Sequence, residues 1–464
     1  MRHPIQQLLG PIGLRRRAET RGTSLLRLVL VAESATAGFY LAITRGLAPI
    51  VMAAAGLSIR EIMLITMLGY VAVLLTLRLV AEKGIRRLRI SLLLVHGSER
   101  VVWSLLPLVS PLGAVLVIPI YSLALTLASL SGLMITTVIY SGFDDREARR
   151  IIASRSAVSA ASNIVGQLVS VAVLAASKTY MKFLYLYILG SGVGLIATAV
   201  LAAAQHLLPS EARLQEKKRE LAAEEAVSST LFLFIVLYMA AGAVLATTWA
   251  PYLMKWLRAP DYVAASLGLV QMVTSIAASM YWARVPYAVY KSAVIILPLI
   301  PVFVAVAANP LLHIGIAILY AFAATGANLL VGFTYAQLAK SLGAFDSSLR
   351  AAEAGALAQV MGLGTALAIM GLGPWAAFIV AAAYAASAAV IALLALPEVA
   401  LVSSEQALIH ARRLYIVTSA AFGFVVVYSR KTVIATLRLL ALLLALFILV
   451  FTYRVLYYLV ILTH

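Results

Sequence analysis

The chain of 464 residues alternates between long apolar segments and short polar connections. The apolar segments run without interruption, as in 231–251 and 375–396, and reach the length of about 20 residues that a helix needs to cross the hydrocarbon core of a bilayer. Only helices or closed barrels satisfy the backbone at that depth, and barrel strands need segments of about ten residues with alternating polarity. The pattern therefore predicts an all-α, polytopic transmembrane helical bundle.

Hydropathy and turn residues predict twelve core spans, at 26–54, 59–81, 89–108, 112–140, 153–177, 182–206, 229–252, 263–283, 289–308, 311–337, 350–371 and 375–397. A charged stretch, EARLQEKKRELAAEE, follows the sixth span. The predicted domains are an N-terminal segment at 1–25, a six-helix bundle at 26–206, a linker at 207–228, a second six-helix bundle at 229–397 and an extension at 398–464. Two such halves, with a site at their interface near the midplane, are a recurrent transporter architecture.

The C-terminal extension begins with an amphipathic stretch, SSEQALIHARR, and ends in an apolar run at 433–462 that predicts one more span. The apolar residues at 414–428 are too few for a clear span and also suit a strand pair. The extension therefore adds one or two transmembrane segments, and the side on which the chain ends stays open. It is also a candidate surface for a protein partner.

Lysine and arginine outnumber aspartate and glutamate by 36 to 18, although only 12% of the residues are charged. The basic residues concentrate in alternate connections, at 83–89, 146–155, 213–219, 284–291 and 340–350. Membrane proteins keep such an excess in cytoplasmic loops, so nucleic-acid binding is not needed to explain it. We expect an integral protein of the cytoplasmic membrane, with its N-terminus and the linker in the cytoplasm.

The chain contains no cysteine, and it has neither a phosphate-binding glycine loop nor acidic residues spaced for a metal. The sequence thus predicts no metal site, no cofactor and no enzymatic activity.

Several segments resemble the major facilitator superfamily of transporters. AAAGLSIREIM at 53–63 is similar to the turn between the first two helices of that family, and AEKGIRRLR at 81–89 is similar to its cytoplasmic signature loop. The resemblance covers 24–397 and implies alternating access by two rocking bundles, with a small-molecule substrate bound between them. It implies a cytoplasmic gating loop formed by Glu82, Lys83, Gly84, Arg86 and Arg87.

Charged residues at membrane depth are the main candidates for chemistry, because a charge near the bilayer centre costs at least about 2.5 kcal/mol. Glu33 lies in the first span among small and polar neighbours. Removal from water favours the neutral form of a carboxyl, so Glu33 could exchange a proton in each transport cycle, or it could pair with a basic residue on another helix. In the third span, His96, Glu99 and Arg100 share one helical region and could form a proton relay or a structural ion pair.

Arg45 could attract an anionic substrate or extend to the membrane interface. Trp249 and Tyr252, near a span end, are expected at that interface, and the small residues of the fifth and eleventh spans indicate close helix packing. The remaining candidates for lining a cavity are amphipathic residues on the spans: Tyr140, Tyr238, Gln271, Tyr320 and Asn328.

Three functions fit these features. The first is a secondary active transporter of a small solute, with possible proton coupling through Glu33. The second is a flippase for lipid-linked glycans with 14 spans, and the third is a membrane subunit or scaffold of a larger complex. A closed cavity between the halves would favour transport, whereas a packed centre would favour a scaffold.

Overall fold

The computed structural model describes residues 10–83, 85, 87–143, 145–208, 222–282, 284–285, 289–342 and 344–395. The C-terminal extension, most of the linker, Gly84 and Arg86 therefore lie outside the described residues, as does the side chain of Tyr140.

The described chain is an all-helical bundle. Its helices are α1 (Gly10–Ile43), α2 (Ala48–Ala54), α3 (Ile59–Lys83), α4 (Leu88–Ser104), α5 (Leu106–Val109), α6 (Ala114–Gly142), α7 (Asp145–Ala176), α8 (Met181–Ala203), α9 (Ala222–Lys255), α10 (Asp261–Trp282), α11 (Tyr290–Ile296), α12 (Leu299–Val306), α13 (Leu312–Leu342), α14 (Ala344–Ile369) and α15 (Trp375–Ala395). Within these ranges, eleven segments are long and apolar enough to cross a membrane. The protein is a polytopic membrane protein, and large apolar side chains such as Val115 and Leu394 remain exposed for contact with lipid.

The ninth predicted span, 289–308, differs from the prediction of a single helix. The apolar segment Tyr290–Val306 is shorter than the other spans and is divided into α11 and α12. The division falls at Pro298, because proline has no backbone N–H and its ring clashes with the preceding turn. The described residues thus contain eleven candidate spans where twelve were expected.

The first span is also divided, into α1 and α2. The residues between them, 44–47, include Gly46, and Pro49 lies in the first turn of α2. Glycine and proline both favour a break in a helix, and proline is well accommodated in a first helical turn. Arg45 therefore lies at a helix break rather than on a continuous helix.

Apart from the linker between α8 and α9, successive spans are joined by short connections and run antiparallel, so the bundle has two ends. We call the end that holds the connections after α3, α6, α8, α10 and α13 the basic end, because lysine and arginine concentrate there. The other end, with the connections after α2, α5, α7, α9, α12 and α14, is the opposite end.

Helices of the first half pack mainly on one another, with α1 against α7 and α8, and α6 against α3 and α4. In the second half, α9 packs against α14 and α15, and α13 packs against α10 and α11. Contacts between the two sets are made by α7 with α10, α3 with α14, and α2 with α9. Any space between the two halves must therefore lie beside these three helix pairs.

Candidate functional site

A cavity of about 400 Å³ lies between α3 and α6 of the first half and α9 and α14 of the second. This volume is within the range of about 300–1,000 Å³ that is usual for ligand pockets. Its polar lining residues are Tyr70, Ser129, Thr136, Ser348 and Gln359. Ser348 begins the span of α14 at the basic end, and Gln359 lies 11 residues further along, about 16 Å deep at 1.5 Å per residue. The cavity therefore extends from the basic end to about the middle of the bundle.

The lining is otherwise made of small or apolar side chains. α14 contributes alanine and glycine at four positions, and α6 contributes Gly132, beyond which a Cβ atom would meet nothing within 4 Å. Because these side chains are small, they leave space between the facing helices even where the backbones are close.

The two halves are in contact at the opposite end. The ammonium nitrogen of Lys182 on α8 lies 2.5 Å from a carboxylate oxygen of Asp261 at the start of α10. Both side chains are largely buried, and Lys182 also donates to the carbonyl oxygen of Ser177 at 2.9 Å. Nearer the middle, Gly364 of α14 faces the sulfur of Met67 on α3. The halves thus meet toward the opposite end, whereas the cavity lies toward the basic end.

A network of buried charges lies inside the first half, apart from the cavity. Glu33 on α1 lies between two basic side chains: His96 Nε2 on α4 is 3.2 Å from its Oε1, and Arg155 Nη1 on α7 forms an ion pair with its Oε2 at 2.6 Å. The other ring nitrogen of His96 lies 2.8 Å from the hydroxyl of Thr198 on α8. One carboxylate thus joins α1, α4 and α7, and the imidazole extends the network to α8.

A second buried carboxylate, that of Glu99, lies on α4 about one turn after His96. It pairs with the neighbouring Arg100, and Arg45 Nη2 lies 3.1 Å from its Oε1. The guanidinium of Arg100 lies 4.8 Å from the centre of the Tyr40 ring and donates to the carbonyl oxygen of His96 at 3.1 Å. Neither centre includes a residue that lines the cavity.

The structure brings together Glu33, Arg45, His96, Glu99 and Arg100, all of which are candidates from the sequence. Each acidic group has at least one arginine partner, so both carboxylates are held in ion pairs in this state. The expectation that Glu33 could pair with a basic residue on another helix is met by Arg155 of α7, and not by Arg100 of α4.

The other candidates are distributed over the second half. The hydroxyl of Tyr238 on α9 donates to the amide oxygen of Asn328 on α13 at 2.7 Å, so the two satisfy each other. Tyr320 packs edge-on against Trp249, with ring centres 6.0 Å apart. Gln271 is half-buried on α10. These four candidates do not line the cavity.

Of the expected gating loop, Glu82 and Lys83 end α3 and are exposed, and Arg87 precedes α4 with a φ of 52°. Glu82 lies 3.7 Å from Arg78 on the same helix, with both side chains in solvent. A solvent-exposed pair of this kind contributes little to stability. The gating role of this loop stays a prediction.

Two functional candidates were missed from the sequence. Arg155 was assigned to a cytoplasmic connection, but it lies within α7 and pairs with Glu33. Its neighbours Ser154, Ser156 and Ala157 are small, as around Glu33, and this shared pattern was the available signal.

His313 on α13 was missed as well, because a lone histidine near a span end carries no pattern. The indole N–H of Trp249 donates to its Nδ1 at 2.9 Å, and Nε2 lies 3.0 Å from the carbonyl oxygen of Ala307. With Nδ1 accepting, Nε2 carries the proton and the ring is neutral. Trp249 and Tyr252, which were expected at the membrane interface, are buried within the bundle, and Tyr252 packs on Phe378.

Solved structures with a similar arrangement of helices include transporters. A crystal structure of the nucleoside transporter NupG aligns with 81% of this chain and 99% of that one, with 12% identity and a TM-score of 0.57. The chain has the major facilitator fold. A point variant of NupG gives the same TM-score at 13% identity. A bacterial homologue of the human lysosomal transporter Spinster, in an inward-facing and occupied conformation, aligns with 86% of the chain at 13% identity and a TM-score of 0.50.

No protein-family model matches the sequence, and no curated protein matches it. The resemblance of the sequence to the major facilitator superfamily is thus confirmed at the level of the fold, over most of the chain.

Proposed function

We propose that this protein is a secondary active transporter that moves a small solute across the cytoplasmic membrane by alternating access. The observation that carries the proposal is the cavity between the halves, which extends from the basic end to the middle of the bundle while the opposite end is packed. A scaffold would be expected to have a packed centre. The major facilitator fold, which transporters share, supports the same function.

In this mechanism the solute enters the cavity from the basic end, which is the predicted cytoplasmic side. Release on the other side requires the halves to separate where α7 meets α10 and where α2 meets α9. The Lys182–Asp261 ion pair joins α8 to α10 at that end and must break during each cycle. A covalent link at this position should therefore hold the protein in one state.

The absence of cysteine from the sequence makes this test simple. Lys182→Cys and Asp261→Cys are introduced together, and the purified protein is placed in proteoliposomes and treated with a short bis-methanethiosulfonate reagent. Counterflow of a solute identified by a thermal-shift screen should stop after cross-linking and return when a reductant removes the link. Each single variant, treated in the same way, should remain active. Unchanged counterflow in the cross-linked protein would contradict alternating access.

The proposal includes proton coupling through Glu33. Protonation of this carboxyl would break its ion pair with Arg155 and so change the contact between α1 and α7. Glu33→Gln should abolish uptake driven by a proton gradient and leave counterflow intact. Glu61→Gln, at a carboxylate that accepts hydrogen bonds from Ser58 at the start of α3, is the matched control and should retain both activities. Loss of both activities in Glu33→Gln, or of neither, argues against coupling at Glu33.

A further inference from the structure

The chemistry of the cavity lining points to a class of solute, an inference that rests on the proposed function. Among the described residues that line the cavity, none is a lysine, arginine, histidine, aspartate or glutamate. The buried charges of Glu33 and Glu99 are held within the first half by arginine partners and do not reach the lining. The guanidinium of Arg45 lies close enough to act electrostatically on Tyr70, but it is paired with Glu99. An ion that entered the cavity would therefore lose hydration without contacting a lining side chain of opposite charge.

The polar groups of the cavity are instead uncharged hydrogen-bonding groups. The amide oxygen of Gln359 is buried and accepts no hydrogen bond from any described residue. A buried acceptor without a donor is costly. Because the oxygen is itself covered in this state, a ligand hydroxyl or N–H group would satisfy it after the amide of Gln359 rotates toward the cavity that its side chain lines. Tyr70, on the facing helix α3, lines the same space and carries a phenol that can donate or accept.

The volume of about 400 Å³ is sufficient for a small molecule. The alanine and glycine surface of α14, at Ala351, Ala352, Gly355 and Ala356, offers a smooth apolar wall for one face of such a molecule.

We propose that the cavity binds a neutral solute with hydroxyl or N–H donors, that Gln359 accepts a hydrogen bond from it, and that its flat face packs on α14. Gln359 is then a specificity-determining residue, because it selects for a donor group at the inner end of the cavity.

The test is direct binding to the purified full chain, measured by thermal shift and then by calorimetry. The probes are matched pairs that differ in charge: uncharged sugars, polyols and nucleosides, each beside its phosphorylated counterpart. At least one neutral probe should raise the melting temperature, and its phosphorylated counterpart should bind at least tenfold more weakly.

Two variants locate the binding. Gln359→Leu should weaken the neutral probe about tenfold, as expected for the loss of one hydrogen bond to a buried group. Gly132→Leu should abolish binding, because its side chain would fill open space in the cavity without meeting backbone. The matched controls are Gln205→Leu, at an exposed amide, and Gly192→Leu, at an exposed glycine of α8 that also has open space beyond it. Both controls should bind as the parent does.

Thermal melting of the ligand-free variants shows whether each one folds. If Gly132→Leu does not fold, Gly132→Ala fills less of the cavity and takes its place in the test. Preferential binding of the phosphorylated probes, no binding by any probe, or unchanged binding in Gln359→Leu and in the folded Gly132 variant would each overturn the inference. Transport of a charged solute would overturn it while leaving the proposed function intact. Neutral binding without transport would overturn the function and leave the inference standing.

Discussion

At the scale of single residues, the buried ion pair between Glu33 and Arg155 should contribute to stability. Both lie at membrane depth, and a buried charge that loses its partner typically destabilises a protein by about 3–5 kcal/mol. Arg155→Met keeps much of the side-chain bulk and removes the charge, so it should lower the free energy of unfolding by roughly 3 kcal/mol. The decrease should appear as a lower melting temperature in detergent.

The control is Arg150→Met, on the same helix but exposed, which should melt as the parent does. A double variant, Glu33→Gln with Arg155→Met, removes both charges and should recover much of the loss. If the double variant is no more stable than Arg155→Met alone, the ion pair does not account for the effect.

The hydrogen bond from Trp249 to His313 should also contribute to stability, because both groups are buried. Trp249→Phe leaves the ring nitrogen Nδ1 of His313 buried without a donor, which should cost about 1–3 kcal/mol. Melting in detergent measures the change, and Trp256→Phe, at an exposed indole, serves as the comparison. Equal melting temperatures for the two variants would mean that the indole hydrogen bond adds no stability.

At the scale of elements, α1 and α7 approach closely because small residues face each other. A Cβ atom on Gly38 would collide with the carbonyl oxygen of Ser159, and one on Gly166 would lie 2.7 Å from the Cβ of Ala42. The close packing that the small residues of the fifth span predicted is thereby confirmed. Small residues allow this approach where lipid supplies no hydrophobic drive between helices.

Gly38→Ala should force α1 and α7 apart and destabilise the protein by about 1–3 kcal/mol, the usual cost of overpacking. Gly192→Ala, on α8 with open space beyond it, should be neutral or stabilising by up to about 1 kcal/mol, since alanine favours helix. Thermal melting of both variants provides the comparison. Equal stability of the two would show that α1 can move away from α7 at no cost.

At the scale of the whole molecule, the distribution of basic residues predicts the orientation. Single cysteines at Arg87, at the basic end, and at Ser177, at the opposite end, are each the only thiol in the chain. In intact cells a membrane-impermeant maleimide should label the cysteine at 177 and not the one at 87, because basic connections stay in the cytoplasm. The reverse labelling would invert the predicted topology.

Sequence by itself determined the fold class, the approximate position of most spans and the residues whose charge at membrane depth needs explanation. These features depend on local hydropathy, on proline and glycine, and on the cost of a charge in hydrocarbon, all of which can be read within about 20 residues. The sequence also singled out Glu33, Arg45, His96, Glu99 and Arg100, because a charge in an apolar run is a local signal.

Only the tertiary structure decided which of these groups meet and where space remains. Glu33 and Arg155 are separated by more than a hundred residues, and their pairing depends on how α1 crosses α7. Tyr70 and Gln359 line the cavity because α3 faces α14, although neither residue stands out in its span. The direction in which a side chain points depends on helix rotation and crossing angle, which packing between distant segments determines.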